Sequence, residues 1–255
     1  MDINLTRRTP PFTRSRGISL FLALALLVTF VALQVLLGLL MIVALLLSQV
    51  VGTSAESAMS LAENGVVVGG ASALAGLLML GLIWLVVSRA GRRPFRAPMA
   101  LVPAQGWPFW TFPLLAIVVA LVFDGLTALL DQPLVPEILV PYFRGPVAVL
   151  VMACASVLIA PVVEELLFRG VLFGALEQFG PPWLAVLLTA LPFGLLHVMT
   201  YGPDWYTILQ TLVMGLILGG LRAWTRSLWP GIVFHAIHNL YATLEVIVLV
   251  NVLTA

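Results

Sequence analysis

Charged residues are scarce in this chain, and lysine is absent. Only 9% of the 255 residues are charged, while 62% are hydrophobic. Soluble domains carry about 25% charged residues, so a soluble core could not hide this much apolar surface. All twelve basic residues are arginine, and the formal net charge is only +1. No basic face could follow a phosphate backbone, which argues against a nucleic-acid partner.

Cysteine is almost as scarce. The single Cys154 excludes an intrachain disulfide and any metal site built from several cysteines. It lies in an apolar run, where a small buried hydrophobic role is the expected one.

Long apolar runs fill the rest of the chain. A membrane helix needs about 20 apolar residues, and we find seven such runs: 18–50, 66–88, 110–130, 145–176, 183–200, 206–223 and 230–253. They predict an all-α, polytopic membrane helix bundle of about seven transmembrane helices, with room for an eighth short or re-entrant span. The run at 18–50 is too long for a signal-peptide core and predicts a retained helix embedded in the lipid bilayer.

The arginines predict the orientation of the bundle. They precede the first run and follow the second and the sixth: Arg7, Arg8, Arg14, Arg16, Arg89, Arg92, Arg93, Arg96, Arg222 and Arg226. The loop after the first run holds only Glu56 and Glu63, and the loop after the fifth only Asp204. The positive-inside rule then predicts a cytoplasmic N-terminus, with Arg144 as a mild exception.

Polar residues are distributed unevenly along the chain. Residues 1–108 comprise the first two runs and an arginine- and proline-rich linker, which we expect on the cytoplasmic side. Residues 109–255 hold nearly all the polar groups that fall within runs. We predict that the second part is the functional core of one integral membrane domain.

The segment "EELLFR" places Glu164, Glu165 and Arg169 within an apolar run. Each charge at the centre of a membrane helix costs about 2.5–3.5 kcal/mol, so compensation is required. Glu165 and Arg169 are four residues apart and can form an ion pair. Glu164 is then left without a local partner. A spare carboxylate in an apolar cavity is a candidate general base.

The histidines provide a second group of candidates. His197 lies four residues after Phe193 in "FGLLH", and His235 lies four residues before Asn239 in "HAIHN". Each pair shares a helix face. His238 lies to the side of its pair. A lone membrane histidine is often only an interhelical hydrogen-bonding group, whereas an acid, imidazoles and an amide together are typical of a hydrolytic centre.

The sequence also allows a metal-binding site. No HExxH motif is present, which argues against a zincin helix. Glu164, His197 and His235, with His238 three residues further on, would suit zinc or another divalent metal.

The three motifs fit EExxxR, FxxxH and HxxxN. In order and spacing they resemble the CAAX prenyl endopeptidase and bacteriocin-processing (CPBP, or Abi) family of intramembrane proteases, over roughly residues 109–253. This resemblance implies a helical bundle with a polar cavity and peptide or membrane-anchored protein substrates. It also favours a prokaryotic cell membrane and a glutamate-dependent mechanism, although the family has also been described as metal-dependent.

The resemblance also implies roles for individual residues. Glu164 and His197 would activate the attacking water, and His235 and Asn239 would stabilise the oxyanion. Glu165 and Arg169 would hold the motif helix, with Phe193 in support. The alternative is a non-catalytic membrane protein, either a transporter or an immunity scaffold that keeps the motifs.

One geometric conflict is apparent from the sequence. His197 lies about 21 Å along the fifth helix, at 1.5 Å per residue, whereas His235 lies near the start of the seventh. We expect the fifth helix to tilt, to break near Pro192, or to start deeper in the membrane. Two further acids, Asp124 and Glu245, look isolated and predict structural roles.

Overall fold

The computed structural model describes residues 18–50, 64–90 and 95–254. In these ranges the chain forms seven long helices and no strand. They are α1 (Leu20–Val50), α2 (Gly65–Ala90), α3 (Thr111–Leu129), α4 (Pro146–Leu176), α5 (Pro182–Tyr201), α6 (Trp205–Thr225) and α7 (Trp229–Thr254). A short 3₁₀ helix, Glu137–Phe143, precedes α4. The predicted helical bundle is confirmed.

Six of the seven helices are long and apolar enough to cross a membrane, and the apolar part of α5, Pro182–Val198, is shorter. Large apolar side chains cover the outer surface: Phe21 is 80% exposed and Val28 67% exposed. Such a surface is stable only in lipid. The chain is therefore a multi-pass membrane protein. Several charges used to predict its orientation lie outside the described residues: Arg7, Arg8, Arg14, Arg16, Glu56, Glu63, Arg92 and Arg93.

Helix α4 is not a regular α-helix. Two π-helical segments, Cys154–Ile159 and Glu165–Leu172, interrupt it and flank the α-helical turn that ends at Glu164. The wider π turns change the angle between successive side chains, and such segments are rare and frequent at functional sites. Within the second segment every residue is buried.

Helices α5 and α6 form a closely packed hairpin. Gly215 and Gly219 of α6 face α5, and a Cβ added to them would lie 3.0 Å from Cα of Ala190 and 3.1 Å from Cγ1 of Val186. Small residues allow this approach of two backbones. Helix α5 continues through Pro192, which excludes a break there, one of the three alternatives given for this helix.

The turn between α6 and α7 lies inside the protein. Ser227 and Leu228 are 0% and 1% exposed. The linker before α3 covers this turn: the Leu228 amide donates to the Ala100 carbonyl at 2.9 Å, and the Ser227 hydroxyl donates to the Val102 carbonyl at 2.6 Å. Helix α7 therefore starts deep in the bundle, which brings His235 to the level of His197. The described part of the linker thus packs against the bundle in addition to connecting α2 and α3.

Candidate active site

The four residues with predicted catalytic roles line one cavity of about 210 Å³. Helix α4 contributes Glu164, α5 contributes His197, and α7 contributes His235 and Asn239. The wall also includes the polar residues Gln34, Ser72, Ser156, Thr200 and Tyr201. A second section of the cavity, lined by Glu164, Phe193 and His197, extends towards α1. The sequence motifs thus converge on a single partly polar space between the helices.

A buried ion pair supports the glutamate side of this cavity. Nη1 of Arg169 donates to Oε1 of Glu165 at 2.8 Å, and both side chains are 0% exposed. Nη2 of Arg169 donates to the Gly215 carbonyl at 3.0 Å and ties α4 to α6. The ion pair predicted from the i, i+4 spacing is present. It neutralises Glu165 and leaves Glu164 as the carboxylate that faces the cavity.

Phe193 lies at the centre of the site. Its ring is edge-on to Phe168 at 5.3 Å, and it also contacts the rings of His197 and His235, at 4.6 and 5.9 Å between centroids. The Arg169 guanidinium lies 4.4 Å from its centroid. Phe193 thus fixes the relative positions of the ion pair and both histidines, because buried rings in mutual contact have little freedom to rotate.

The hydrogen bond of His197 determines which of its ring nitrogens can act as a base. Its Nδ1 lies 2.7 Å from the Phe193 carbonyl. A carbonyl can only accept, so Nδ1 carries the proton in the neutral ring and Nε2 has a free lone pair. The ring also stacks on Tyr201 at 5.8 Å between centroids. Nε2 of His197 can therefore accept a proton from water.

His235 lies between the two glutamates. Its Nε2 is 3.8 Å from Oε2 of Glu164, and its Nδ1 is 3.4 Å from Oε1 of Glu165. Neither contact has hydrogen-bond geometry, since Oε2 of Glu164 and Nδ1 of His235 both lack a hydrogen-bond partner. Two atoms 3.8 Å apart can both contact one water molecule. A proton on Nε2 points towards the space that a reacting group would occupy.

Asn239 is fixed by the first π segment. Its Nδ2 donates to the Ser156 carbonyl at 2.9 Å. Ser156 lies in the segment Cys154–Ile159, where backbone carbonyls do not follow the α-helical pattern. One of the two Nδ2 protons is used in this bond, and the second stays available for a ligand.

The donor set for a metal ion does not assemble in the described part of the chain. There, no group of three His, Cys, Asp or Glu side chains has a spacing that holds a metal ion. His238, one of the candidate ligands, lies in a different cavity. The residues present do not fit a bound zinc, and we derive no step through a metal.

His238 and the two acids that look isolated in the sequence share a second cavity, between α3, α6 and α7. Asp124 accepts a hydrogen bond from the Tyr241 hydroxyl, and Glu245 lines the same cavity. This hydrogen bond is consistent with the structural role predicted for Asp124. Sequence spacing could not reveal this pair, because the two residues lie on helices that are far apart along the chain.

Comparison with known proteins supports the motif assignment. Residues 146–241 match the sequence model of the family described as type II CAAX prenyl endopeptidase, Rce1-like. The predicted family resemblance is confirmed for this segment. A Bacillus subtilis (strain 168) protein named "Putative membrane peptidase YdiL" is 30% identical over 97 residues. That alignment spans 38% of this chain and 38% of the B. subtilis protein. No solved structure shows a significant match.

The Rce1-like segment contains α4, α5, α6 and the first half of α7, and thus all four residues with predicted catalytic roles. Helices α1 and α2 lie outside it, although both contribute to the cavity wall. The match therefore covers the helices that carry all four of these residues but not the whole cavity wall.

Proposed function

We propose that this protein is an intramembrane endopeptidase that hydrolyses a peptide bond with a water molecule activated by Glu164 and His197. The observation that carries this proposal is the common cavity: an unpaired carboxylate, an imidazole with a free Nε2, a second imidazole and an amide all face it. These are the groups that general-base attack and oxyanion stabilisation need.

The first step removes a proton from water. Glu164 accepts the proton, and Nε2 of His197 accepts a hydrogen bond that orients the water. The water oxygen then forms a bond to the scissile carbonyl carbon, and the carbonyl π electrons move to its oxygen. When the tetrahedral intermediate collapses, the C–N bond breaks, and the amine leaves with the proton held by Glu164. The products are a carboxylic acid and an amine, and Glu164 is again a carboxylate; the acid product then loses its proton to water.

His235 and Asn239 are the proposed oxyanion site. Nε2 of His235 and the second Nδ2 proton of Asn239 can both donate to the developing negative charge. Both donors are held before substrate arrives, by the Phe193 ring beside His235 and by the Ser156 carbonyl. Donors fixed in advance need no reorganisation at the moment of reaction, so each can lower the barrier by about 3–4 kcal/mol.

The substrate class follows from where the site lies. Because the cavity is enclosed by membrane helices, the substrate is a peptide or membrane-anchored protein segment that enters from the bilayer. We propose a prokaryotic cell membrane with the N-terminus in the cytoplasm. This orientation is supported by Arg89 and Arg222 in the last turns of α2 and α6 and by Arg226 directly after α6. Thiol labelling of single cysteines introduced at positions 56 and 93, in a Cys154→Ser background, tests this orientation.

Cleavage of a defined reporter tests the proposed activity. The reporter is a quenched fluorescent peptide with one apolar span of about 20 residues, reconstituted with the purified protein in vesicles. We expect one internal cut, identified by mass spectrometry of both fragments. Transport of the intact reporter without cleavage would instead support the alternative function, a transporter.

The same cleavage assay with a chelator tests whether the activity depends on a metal. The vesicles are treated with a membrane-permeant chelator before the reporter is added. The glutamate mechanism predicts an unchanged rate, and loss of activity that zinc restores would show a metal-dependent mechanism instead.

A further inference from the structure

Gln34 interrupts the apolar face of α1 and points into the candidate active-site cavity. It lines both sections of this cavity, together with Glu164 and His197. Its amide is half-buried and forms no hydrogen bond to another described residue. The proposed chemistry gives Gln34 no role. An unpaired amide in a membrane helix is costly, and such groups usually mark function.

Two further hydroxyl groups extend this polar wall. Ser72 of α2 and Thr200 of α5 line the same two sections of the cavity as Gln34. Neither side chain is hydrogen bonded to another residue in the described ranges. We call Gln34, Ser72 and Thr200 the polar wall. Its members come from three helices, and Thr200 lies three residues after His197, so the wall adjoins the proposed water-activating pair.

A membrane substrate needs such a wall for a physical reason. A peptide bond inside a helix is shielded by the helix itself, so the substrate must unwind locally before water can attack. Unwinding exposes main-chain N–H and C=O groups, and each costs several kcal/mol when it has no partner in an apolar surrounding. A glutamine amide offers one donor and one acceptor, which complements a peptide group.

We propose that the polar wall binds the unwound main chain of the substrate next to the scissile bond, with Gln34 hydrogen-bonded to one peptide group. This proposal rests on the proposed function and adds a substrate-binding surface to it. Gln34 and Ser72 lie outside the segment that matches the Rce1-like family. The wall therefore adds contacts from this chain's own first two helices to the site built by the motif helices.

Gln34→Leu tests the proposal with Thr29→Val as the matched control. Thr29 lies on the same helix, and its hydroxyl is satisfied by the Ala25 carbonyl at 2.8 Å. We expect Gln34→Leu to lower kcat/KM on the reporter about tenfold, the effect of leaving one main-chain group unpaired. Thr29→Val keeps the wild-type value. Equal kcat/KM for the two variants would overturn the proposal.

Reporters with a single ester in place of one amide locate the contact. An ester lacks the N–H, so one such replacement next to the scissile bond should lower wild-type kcat/KM but leave the Gln34→Leu value unchanged. Independent losses at every position would contradict a contact between Gln34 and the main chain.

Binding without turnover separates this proposal from the proposed function. Fluorescence anisotropy of the labelled reporter is measured on the Glu164→Gln protein with and without Gln34→Leu. Weaker binding with Gln34→Leu supports the wall even if the wild type does not cleave the reporter, in which case only the proposed function fails. Unchanged binding, or no binding to either protein, contradicts the wall.

Discussion

The guanidinium carbon of Arg169 lies 4.4 Å from the centre of the Phe193 ring. This contact joins the α4 motif to the α5 motif, because Arg169 also holds Glu165 and because the Phe193 carbonyl accepts the hydrogen bond of His197. A cation over a ring in a dry site contributes about 2 kcal/mol. The contact keeps the two proposed water-activating residues at a fixed relative position.

Removal of the arginine should strongly destabilise the protein. Arg169→Met leaves the Glu165 carboxylate buried without its partner, which costs about 3–5 kcal/mol. We expect a corresponding loss in the free energy of unfolding in detergent. The double variant Glu165→Met/Arg169→Met should be less destabilised than Arg169→Met, since it buries no lone charge. Arg89→Ala, at an exposed helix end, is the control and should change stability by less than about 0.5 kcal/mol. A double variant as unstable as the single one would contradict the ion-pair account.

The two histidines of α7 should differ sharply in their effect on catalysis. His235→Leu removes a proposed oxyanion donor and should lower kcat about 10²–10³-fold. His238→Leu changes a ring that packs between Phe123 and Phe234 and lines the second cavity, so kcat should stay within about threefold of wild type. Reporter cleavage by the two purified variants provides the comparison. Similar losses of kcat in both would contradict the assignment of His235 to the oxyanion site.

Gly231 is the position where a methyl group should disturb the site. A Cβ there would lie 2.6 Å from Oε2 of Glu165, and Glu165 cannot move freely because Arg169 holds its other oxygen. Gly231→Ala should therefore lower stability by about 1–3 kcal/mol and reduce activity. Gly220→Ala is the control, since no atom lies within 4 Å of its added Cβ. It should be neutral or stabilising by up to about 1 kcal/mol. A fully active, stable Gly231→Ala protein would show that α7 and Glu165 leave enough space for a methyl group.

The helix positions and the motif residues could be predicted from the sequence because apolar runs and i, i+4 spacings are local. All seven runs coincide with observed helices to within three residues at each end. The π segments around Glu164 could not be predicted from the sequence, since the choice between α and π turns depends on neighbouring helices. The same holds for the buried turn before α7, whose position depends on the hydrogen bonds that it donates to the Ala100 and Val102 carbonyls.

Contacts between helices that are far apart along the chain could not be predicted from the sequence either. The polar wall and the Asp124–Tyr241 hydrogen bond join residues from different spans. Apolar helices show no sequence feature that decides which face meets which neighbour, because lipid-facing and buried faces are equally apolar.

Asp204 should make the stability of α6 depend on pH. It is the N-cap of α6 and accepts from the Thr207 amide at 2.7 Å, and hydrogen bonds from Thr207 hold its pKa below the ordinary value of 3.8. A carboxyl with a lowered folded-state pKa stabilises the fold above its unfolded pKa, and this contribution is lost as pH falls through the folded pKa.

Asp204→Ala should therefore cost about 1 kcal/mol at pH 7, and the difference from wild type should shrink below pH 4. Asp204→Asn keeps a capping oxygen and should show little of this pH dependence. Unfolding curves from pH 3 to pH 7 test the prediction, and a constant difference between wild type and Asp204→Ala would contradict it.

The most direct test of the central claim compares two glutamates of the same protein. Glu164→Gln removes the carboxylate that faces the site cavity, whereas Glu245→Gln changes a carboxylate in the second cavity. Loss of a general base lowers the rate about 10²–10⁴-fold. We predict a kcat reduction of this size for Glu164→Gln on the vesicle reporter, with Glu245→Gln close to wild type and both proteins equally folded. Cleavage by Glu164→Gln at the wild-type rate would contradict the proposed mechanism.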